Sequence, residues 1–279
     1  MRKPIVAGQF YEEDEEKLRA QLRRCFLSPF GPGSLPEEPS KTGLKALISP
    51  HAGYVFSGGC AAHGFKLLAE SEKPDFIILL GLSHAGFDNC VSLEDWETPL
   101  GVMQNYKAFT KQFSKISRIP INEEAHANEH SIEVQLPFLQ FIYEKPPKIV
   151  PIIVSSETGR MAESLNRALS ETKKKAVIIV SSDFTHFGLN YGYFPFSDNI
   201  KENLYNLDGN AIKAIQTGNP SNFSDYVEKT GATICGRVPI ETAMRAIKSE
   251  NIKLLTYYTS GDVMHNYSSA VGYASIAFL

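Results

Sequence analysis

The sequence predicts an α/β fold: a single-domain layered sandwich in which a central, largely parallel or mixed sheet is flanked by helices. Two observations support this prediction. Short runs rich in Ile, Val and Leu end in turn residues, as is typical of buried strands. The segments between these runs carry apolar residues at helical spacing. Because 279 residues are enough for one large α/β domain, we expect residues 1–279 to form a single domain.

The bulk composition excludes several classes of protein. The 43% hydrophobic and 21% charged content is ordinary for a protein that buries a full core. A formal net charge of -3 does not suit a nucleic-acid partner, whose binding surface would normally be basic. No apolar run is long enough to span a membrane, and no signal peptide is recognisable. The four cysteines form no C-x-x-C pair, so we expect a reducing, cytoplasmic setting.

The first half of the chain is predicted to begin with a helix and then alternate with strands. Acidic residues open the segment 15–27, where they suit the positive end of a helix dipole. Ser57 is the expected N-cap of the second helix. The other predicted elements are strand 44–49, helix 58–70, strand 76–80, a β-rich piece at 90–93 and helix 105–116.

The second half continues the alternation and ends in two strands. Pro239 suits an early position of a helix, because a proline lacks the N–H that the first turn cannot use. The predicted elements are helix 132–143, strand 148–154, helix 158–172, strand 176–180, helices 204–217 and 221–229, a helix after Pro239, and strands 253–259 and 274–278.

Three of the predicted strands end in small polar residues that are followed by a histidine. If the strands are parallel neighbours, their carboxyl ends lie at one edge of the sheet, where open α/β folds bind ligands. Three imidazoles at this edge predict a metal site, a proton-transfer site or both. Asp183 is close enough in sequence to pair with the third histidine and to orient it. The histidines are His51, His84 and His186.

Cys235 is a further candidate ligand. It lies just before a predicted helix N-terminus and near Arg237, and both features would lower the pKa of its thiol. A thiolate is the form of cysteine that binds metal. From this segment alone, a buried and inert cysteine is an equally good interpretation.

The segment from His126 to His130 matches H-x-x-E-H, an inverted zinc-peptidase motif. On one helix, both histidines could bind zinc while Glu129 serves as the base. Against this, Asn128 and Ser131 are residues that start helices, so the motif need not be helical throughout. We therefore treat a zinc-dependent hydrolase as an alternative and expect His126 to lie at the surface.

Five blocks of the sequence resemble the Memo family, also called the protein B component of the AmmeMemoRadiSam system. They keep the order of the family and run from the first strand nearly to the last. The family is similar in fold to the class III extradiol ring-cleaving dioxygenases, non-haem iron enzymes of α/β type. The blocks are S-P-H-A-G-Y at 49–54, S-H at 83–84, E-H-S-I-E at 129–133, S-S-D-F-T-H at 181–186 and T-I-C-G-R at 233–237.

The resemblance implies a set of roles. It implies His51, His84 and Cys235 as metal ligands and His186 as the acid or base beside the metal. Asp183 and His130 would lie in the same pocket as catalytic residues. The dioxygenases hold iron with two histidines and a carboxylate. A thiolate in place of the carboxylate shifts the preference toward copper, zinc or a redox-active iron site, and it argues against ring cleavage of a catechol.

The expected function is that of a metal-binding, dioxygenase-like oxidoreductase with iron or copper as its ion and zinc as a further option. One alternative is a non-catalytic protein, such as a signalling adaptor, that binds a peptide or small molecule in the same pocket. The zinc-dependent hydrolase is the other. The predicted partner is a small-molecule or peptide ligand, with no nucleic acid and no membrane, and the sequence predicts no oligomeric state.

Overall fold

An eight-stranded mixed sheet forms the centre of the computed structural model, which describes residues 1–40 and 43–279. Its strands follow the order β3-β6-β2-β7-β1-β10-β8, and β9 pairs with β10. β4 and β5 form a separate hairpin. The strands are β1 (Ala46–Ser49), β2 (Phe76–Gly81), β3 (Cys90–Val91), β4 (Trp96–Thr98), β5 (Gly101–Met103), β6 (Lys148–Ile153), β7 (Ala176–Ser181), β8 (His186–Gly188), β9 (Ile252–Thr259) and β10 (Ser269–Phe278).

Helices cover the sheet. Short 3₁₀ turns at Glu133–Gln135 and Leu189–Tyr191 supplement them. No helix in the described ranges combines the length and apolar character that crossing a membrane requires. The helices are α1 (Glu15–Leu27), α2 (Tyr54–Ala69), α3 (Lys107–Ser117), α4 (Glu123–Ala127), α5 (Leu136–Ile142), α6 (Thr158–Ser170), α7 (Ile200–Gln216), α8 (Pro220–Thr230), α9 (Arg237–Ala246) and α10 (Ser260–Met264).

Four parallel strands, β6, β2, β7 and β1, lie side by side in the middle of the sheet. Their apolar runs are buried on both faces, as expected for parallel strands that helices cover. Antiparallel β10 and β3 flank them on either side. The prediction of an α/β fold with a parallel or mixed sheet is therefore confirmed, and the carboxyl ends of β1, β2 and β7 share one edge.

Successive residues of the central strands point to opposite faces of the sheet and enter two different cores. In β2, Ile77 and Leu79 pack with residues of α1, α2 and α5. Ile78 and Leu80 pack with residues of α3, α6, α7, α8 and α9. The layered sandwich thus follows from the alternation of side chains along strands that are apolar throughout. A single domain over residues 1–279 stays a prediction.

Several boundaries differ from prediction because tertiary contacts set them. α2 begins at Tyr54 rather than at residue 58, since the N–H of Tyr54 donates to the carbonyl of Phe10. Ser57 is not the N-cap; its hydroxyl donates to the carbonyl of Ala52 within the first turn. The β4–β5 hairpin and α10 were not predicted, since each is too short to show a periodic pattern.

Candidate metal centre

Three histidines from separate loops converge at the carboxyl edge of the parallel strands. His51 follows β1, His84 follows β2, and His130 follows α4. One ligand nitrogen from each ring lies within 4.8 Å of the other two, so the group could hold a metal ion. The three rings open into a cavity of about 470 Å³ that Asp183 and His186 also line. Of the three strand-end histidines, His51 and His84 belong to this group and His186 lines the cavity, while His130 supplies the third ring.

His51 is held as a neutral ring with its lone pair on Nε2. Its Nδ1 lies 2.9 Å from Ser181 Oγ, and that hydroxyl donates its only proton to the carbonyl of Ser131 at 2.6 Å. Ser181 must therefore accept from His51, so Nδ1 carries the proton and Nε2 carries the lone pair. Burial lowers the pKa of His51 to about 4, which keeps the ring in the neutral form that binds metal.

His84 is oriented by a carboxylate instead. Its Nδ1 lies 3.0 Å from Glu129 Oε1, and its backbone N–H donates to Oε2 at 2.7 Å. Ser131 N–H donates to the same carboxylate at 2.7 Å. Burial alone would raise the pKa of Glu129, but the hydrogen bond and charge of His84 and these N–H groups outweigh it and lower the pKa to about 2. A carboxylate on Nδ1 leaves Nε2 as the ligand nitrogen and increases its basicity.

The Glu129 carboxylate also shapes the charge of the two neighbouring rings. Burial lowers the pKa of His84, but the hydrogen bond and charge of Glu129 raise it by more. The ring of His130 stacks on His84 with centroids 4.4 Å apart. Burial and the charge of His84 lower the pKa of His130. One ring of this stacked pair thus favours the proton, and the other favours the neutral form.

Cys235 lies beside His51. Its sulfur is 3.4 Å from His51 Nε2 and accepts from the backbone N–H of Asp183 at 3.2 Å. Desolvation of the sulfur and the charge of Asp183 raise the pKa of the thiol well above its ordinary value. The expectation that Arg237 and the helix N-terminus lower this pKa is therefore wrong. The side chain of Arg237 is exposed to solvent, where its charge is screened.

His186 and Asp183 line the same cavity, and each is held by a different partner. His186 Nδ1 lies 3.1 Å from the carbonyl of Thr233, which can only accept, so Nδ1 carries the proton and Nε2 is free. Asp183 Oδ1 accepts from the backbone N–H of His51 at 2.8 Å. Asp183 therefore fixes the loop of His51, and a carbonyl rather than this carboxylate sets the tautomer of His186.

His126 does not belong to the centre, and its predicted surface position is wrong. Its relative exposure is 0%, and its Nε2 lies 3.8 Å from Cys90 Sγ. α4 ends at Ala127, so His126 and His130 do not share the face of one helix. The carboxylate of Glu129 is occupied by His84. The geometry that a helical H-x-x-E-H zinc site requires is therefore absent.

Comparisons with known proteins agree with this arrangement of residues. The sequence model of the family described as "Memo-like protein" matches residues 2–277. The chain belongs to the Memo family. A MEMO1 family protein of Sulfurisphaera tokodaii is 38% identical over 292 residues, which covers 100% of this chain and 99% of the relative. A MEMO1 family protein of Methanopyrus kandleri is 38% identical over 289 residues, covering 99% and 98% of the two chains.

A solved structure resembles this Memo protein in fold. An uncharacterized protein from Escherichia coli K12 superimposes with a TM-score of 0.57 and covers 85% of this chain and 100% of its own. The sequence identity is 14%, so the likeness concerns the fold alone. The particular similarity to extradiol dioxygenases stays a prediction.

Proposed function

We propose that this Memo protein is a metal-dependent oxidoreductase that binds one iron or copper ion at His51, His84 and Cys235, with His130 as a further donor. The observations that carry the proposal are the convergence of the imidazole nitrogens of His51, His84 and His130 within 4.8 Å of one another at the carboxyl edge of the sheet, and the sulfur of Cys235 3.4 Å from His51 Nε2. Ligand pockets of open α/β folds lie at such an edge.

The spacing of one donor pair, Cys235 and His51, fits two ligands of a metal ion. Two ligands of a tetrahedral ion, one nitrogen and one sulfur at ordinary bond lengths, are about 3.6 Å apart. The sulfur of Cys235 is 3.4 Å from His51 Nε2. Imidazoles suit iron, copper and zinc. The thiol of Cys235 would lose its proton on binding the ion, and the softer thiolate adds a preference for metals that change oxidation state readily or bind sulfur. Zinc is therefore the third option for the ion.

The other residues of the cavity suit proton transfer to a bound ligand. A bound redox-active ion would supply electron transfer and Lewis acidity. His186 has a free Nε2 that can take a proton from the ligand and return it, because Thr233 holds its other nitrogen. Asp183 keeps the loop of His51 in place through the backbone.

The walls of the cavity indicate the kind of ligand. Apart from the histidines and Asp183, they are mainly aromatic and aliphatic, and neither lysine nor arginine is among the described residues that line the cavity. Apart from the histidines, a polyanion would find no cationic side chain among these described residues. The walls suit a small apolar molecule, which a non-catalytic ligand-binding protein, the second candidate function, would bind in the same cavity. The apolar wall residues are Phe10, Phe56, Tyr191, Met264, Val271 and Tyr273.

Reconstitution of anaerobically purified protein tests the proposal. We expect about one ion per chain with Fe(II) or copper, by analogy with three-ligand catalytic sites. His51→Ala and His84→Ala should lose the ion, whereas His63→Ala, a partly buried histidine outside the cavity, should keep it. Full occupancy in both site variants would contradict the proposal.

Turnover separates the two candidate functions. Oxygen consumption with catechols and thiols should depend on the metal and fall in His186→Ala without loss of the ion. Tight binding of a ligand that neither a chelator nor His186→Ala affects would favour the non-catalytic protein instead.

A further inference from the structure

The first residues of the chain are attached to the loop that carries two residues of the metal centre. We name residues 2–11 the N-terminal arm and residues 126–133 the histidine loop. The guanidinium of Arg2 donates to the carbonyl of His126 at 3.1 Å and to the carbonyl of Glu129 at 2.7 Å. It also pairs with the carboxylate of Glu133. One buried side chain of the arm thus contacts the histidine loop at three points along its length.

The contact is reciprocal, because Glu133 collects most of its hydrogen bonds from the arm. Its carboxylate accepts from the backbone N–H groups of Ile5 and Val6 at 3.0–3.1 Å and from the hydroxyl of Tyr11 at 2.5 Å. The side chain of Glu133 is 0% exposed. A buried ion pair is costly to break from one side, since the remaining charge has no solvent. The arm and the loop therefore stay together or separate together.

The histidine loop leads directly to the metal centre. Glu129, whose carbonyl Arg2 holds, orients His84 through its carboxylate. His130 follows in the same loop, and the arm returns to it: the ring of Phe10 packs edge-on against His130 with centroids 4.9 Å apart. The arm thus contacts the backbone carbonyl of Glu129 and the ring of His130.

From these contacts we infer that Arg2 is a positioning residue of the metal centre and that arm docking and metal binding are coupled. The inference rests on the proposed metal site. The docked arm holds Glu129 and His130 in the arrangement that binds the ion, so loss of the arm contacts weakens binding. Because coupling between two binding events is reciprocal, a bound ion must strengthen docking of the arm by the same factor.

Metal affinity in arm variants is the first test. Arg2→Lys keeps a cation opposite Glu133 but loses the fork that reaches both carbonyls. We expect its affinity for Fe(II) or Cu(II) to fall about 10-fold. This is the lower end of the range for residues that orient a metal ligand without binding the metal themselves. Arg2→Ala should lose more, and added methylguanidinium should restore part of the loss.

Two matched controls separate positioning from general stability. Lys3→Ala lies in the same arm but removes only an exposed ion pair with Glu97, and it should bind metal like the wild type. Leu165→Ala destabilises the core on the opposite face of the sheet and should also keep its affinity where it is folded. Equal loss in Arg2→Lys and Leu165→Ala would reduce Arg2 to a stabilising residue and overturn the inference.

Hydrogen exchange of the wild-type protein is the second test and needs no variant. The amides of Ile5 and Val6 donate to Glu133, so they report on arm docking. Saturating metal should slow their exchange by roughly 10-fold. This is the same factor as the loss of affinity expected for Arg2→Lys, because the coupling is reciprocal. If metal left the exchange rates unchanged and Arg2→Lys bound metal like the wild type, the inference would be overturned but the proposed function would stand. A wild-type protein that binds no metal would overturn the proposed function as well.

Discussion

The two halves of the candidate metal centre orient their histidine rings with different chemistry. In both, a partner on Nδ1 leaves Nε2 as the nitrogen that can bind a metal. In the first half, the carboxylate of Glu129 holds His84. In the second half, the hydroxyl of Ser181 holds His51. We call the first the carboxylate half; there the carboxylate of Glu129 raises the pKa of His84. We call the second the hydroxyl half; there burial lowers the pKa of His51 to about 4.

Exposure explains the difference. The side chain of His84 is 41% exposed, so water and Glu129 together can support a charge on it. His51 is 2% exposed, and a charge there would be desolvated. A neutral donor is therefore ready at the buried end of the centre, while the exposed end can exchange a proton for the metal. We therefore expect His84 and His51 to respond differently when their Nδ1 partners, Glu129 and Ser181, are mutated.

The largest effect expected from this comparison concerns the third ligand of the metal, for which Cys235 and His130 are the candidates. Cys235→Ser removes the sulfur of the hydroxyl half, and His130→Ala removes the second ring of the carboxylate half. Because thiolate is a stronger ligand for soft metals than hydroxyl, we expect Cys235→Ser to abolish binding of copper. His130→Ala should weaken it and leave measurable affinity. Metal content after dialysis checks the order, and retention in Cys235→Ser with loss in His130→Ala would make His130 the third ligand.

A smaller effect is expected from the residues that support the rings. Glu129→Gln places an amide N–H₂ where three N–H groups now donate, so both the orientation of His84 and its basicity suffer. Its metal affinity should fall about 10- to 100-fold. Ser181→Ala removes a neutral partner and should cost less, and calorimetric titration of both variants measures the difference. A greater loss in Ser181→Ala would reverse the ranking of the two halves.

The last effect is on the free energy of unfolding rather than on metal affinity, and it concerns the segment that leads to the carboxylate half. Burial and the charge of Arg2 lower the pKa of His126 to about 3, and its Nδ1 has no partner among the described residues. The unfolded chain takes up this proton near pH 6.5, but the folded protein resists it. Acid therefore favours unfolding, and this contribution to stability is lost progressively as the pH falls below about 6.5. From pH 7 to 5 the loss is about 2 kcal/mol.

The variant His126→Phe tests this assignment, because phenylalanine keeps an aromatic ring against Trp96 and cannot titrate. Urea unfolding at pH 7 and pH 5 should show a smaller fall in the free energy of unfolding for the variant than for the wild type. His265→Asn, an exposed histidine at positive φ, is the control and should fall like the wild type. Equal falls in His126→Phe and wild type would assign the acid sensitivity to other groups.

The histidines show where prediction from sequence succeeded and where it could not. His51 and His84 follow apolar runs with small polar ends, and that local pattern was sufficient to expect them at one edge. His126 and His130 occupy one five-residue motif, yet one is buried against Trp96 and the other opens into the cavity. The difference arises because α4 stops at Ala127 and Arg2 holds the chain that follows. No local pattern contains a contact 124 residues away.

The sequence by itself determined the α/β sandwich, the edge where ligands would bind, and the residue types available there. Apolar runs and helical spacing encode these features locally, and short-range physics is enough to interpret them. Only the tertiary structure decided which nitrogen each ring presents, that burial raises rather than lowers the pKa of Cys235, and that the N-terminal arm supports the histidine loop. These properties depend on desolvation and on hydrogen bonds between distant segments, which exist only when the chain is packed.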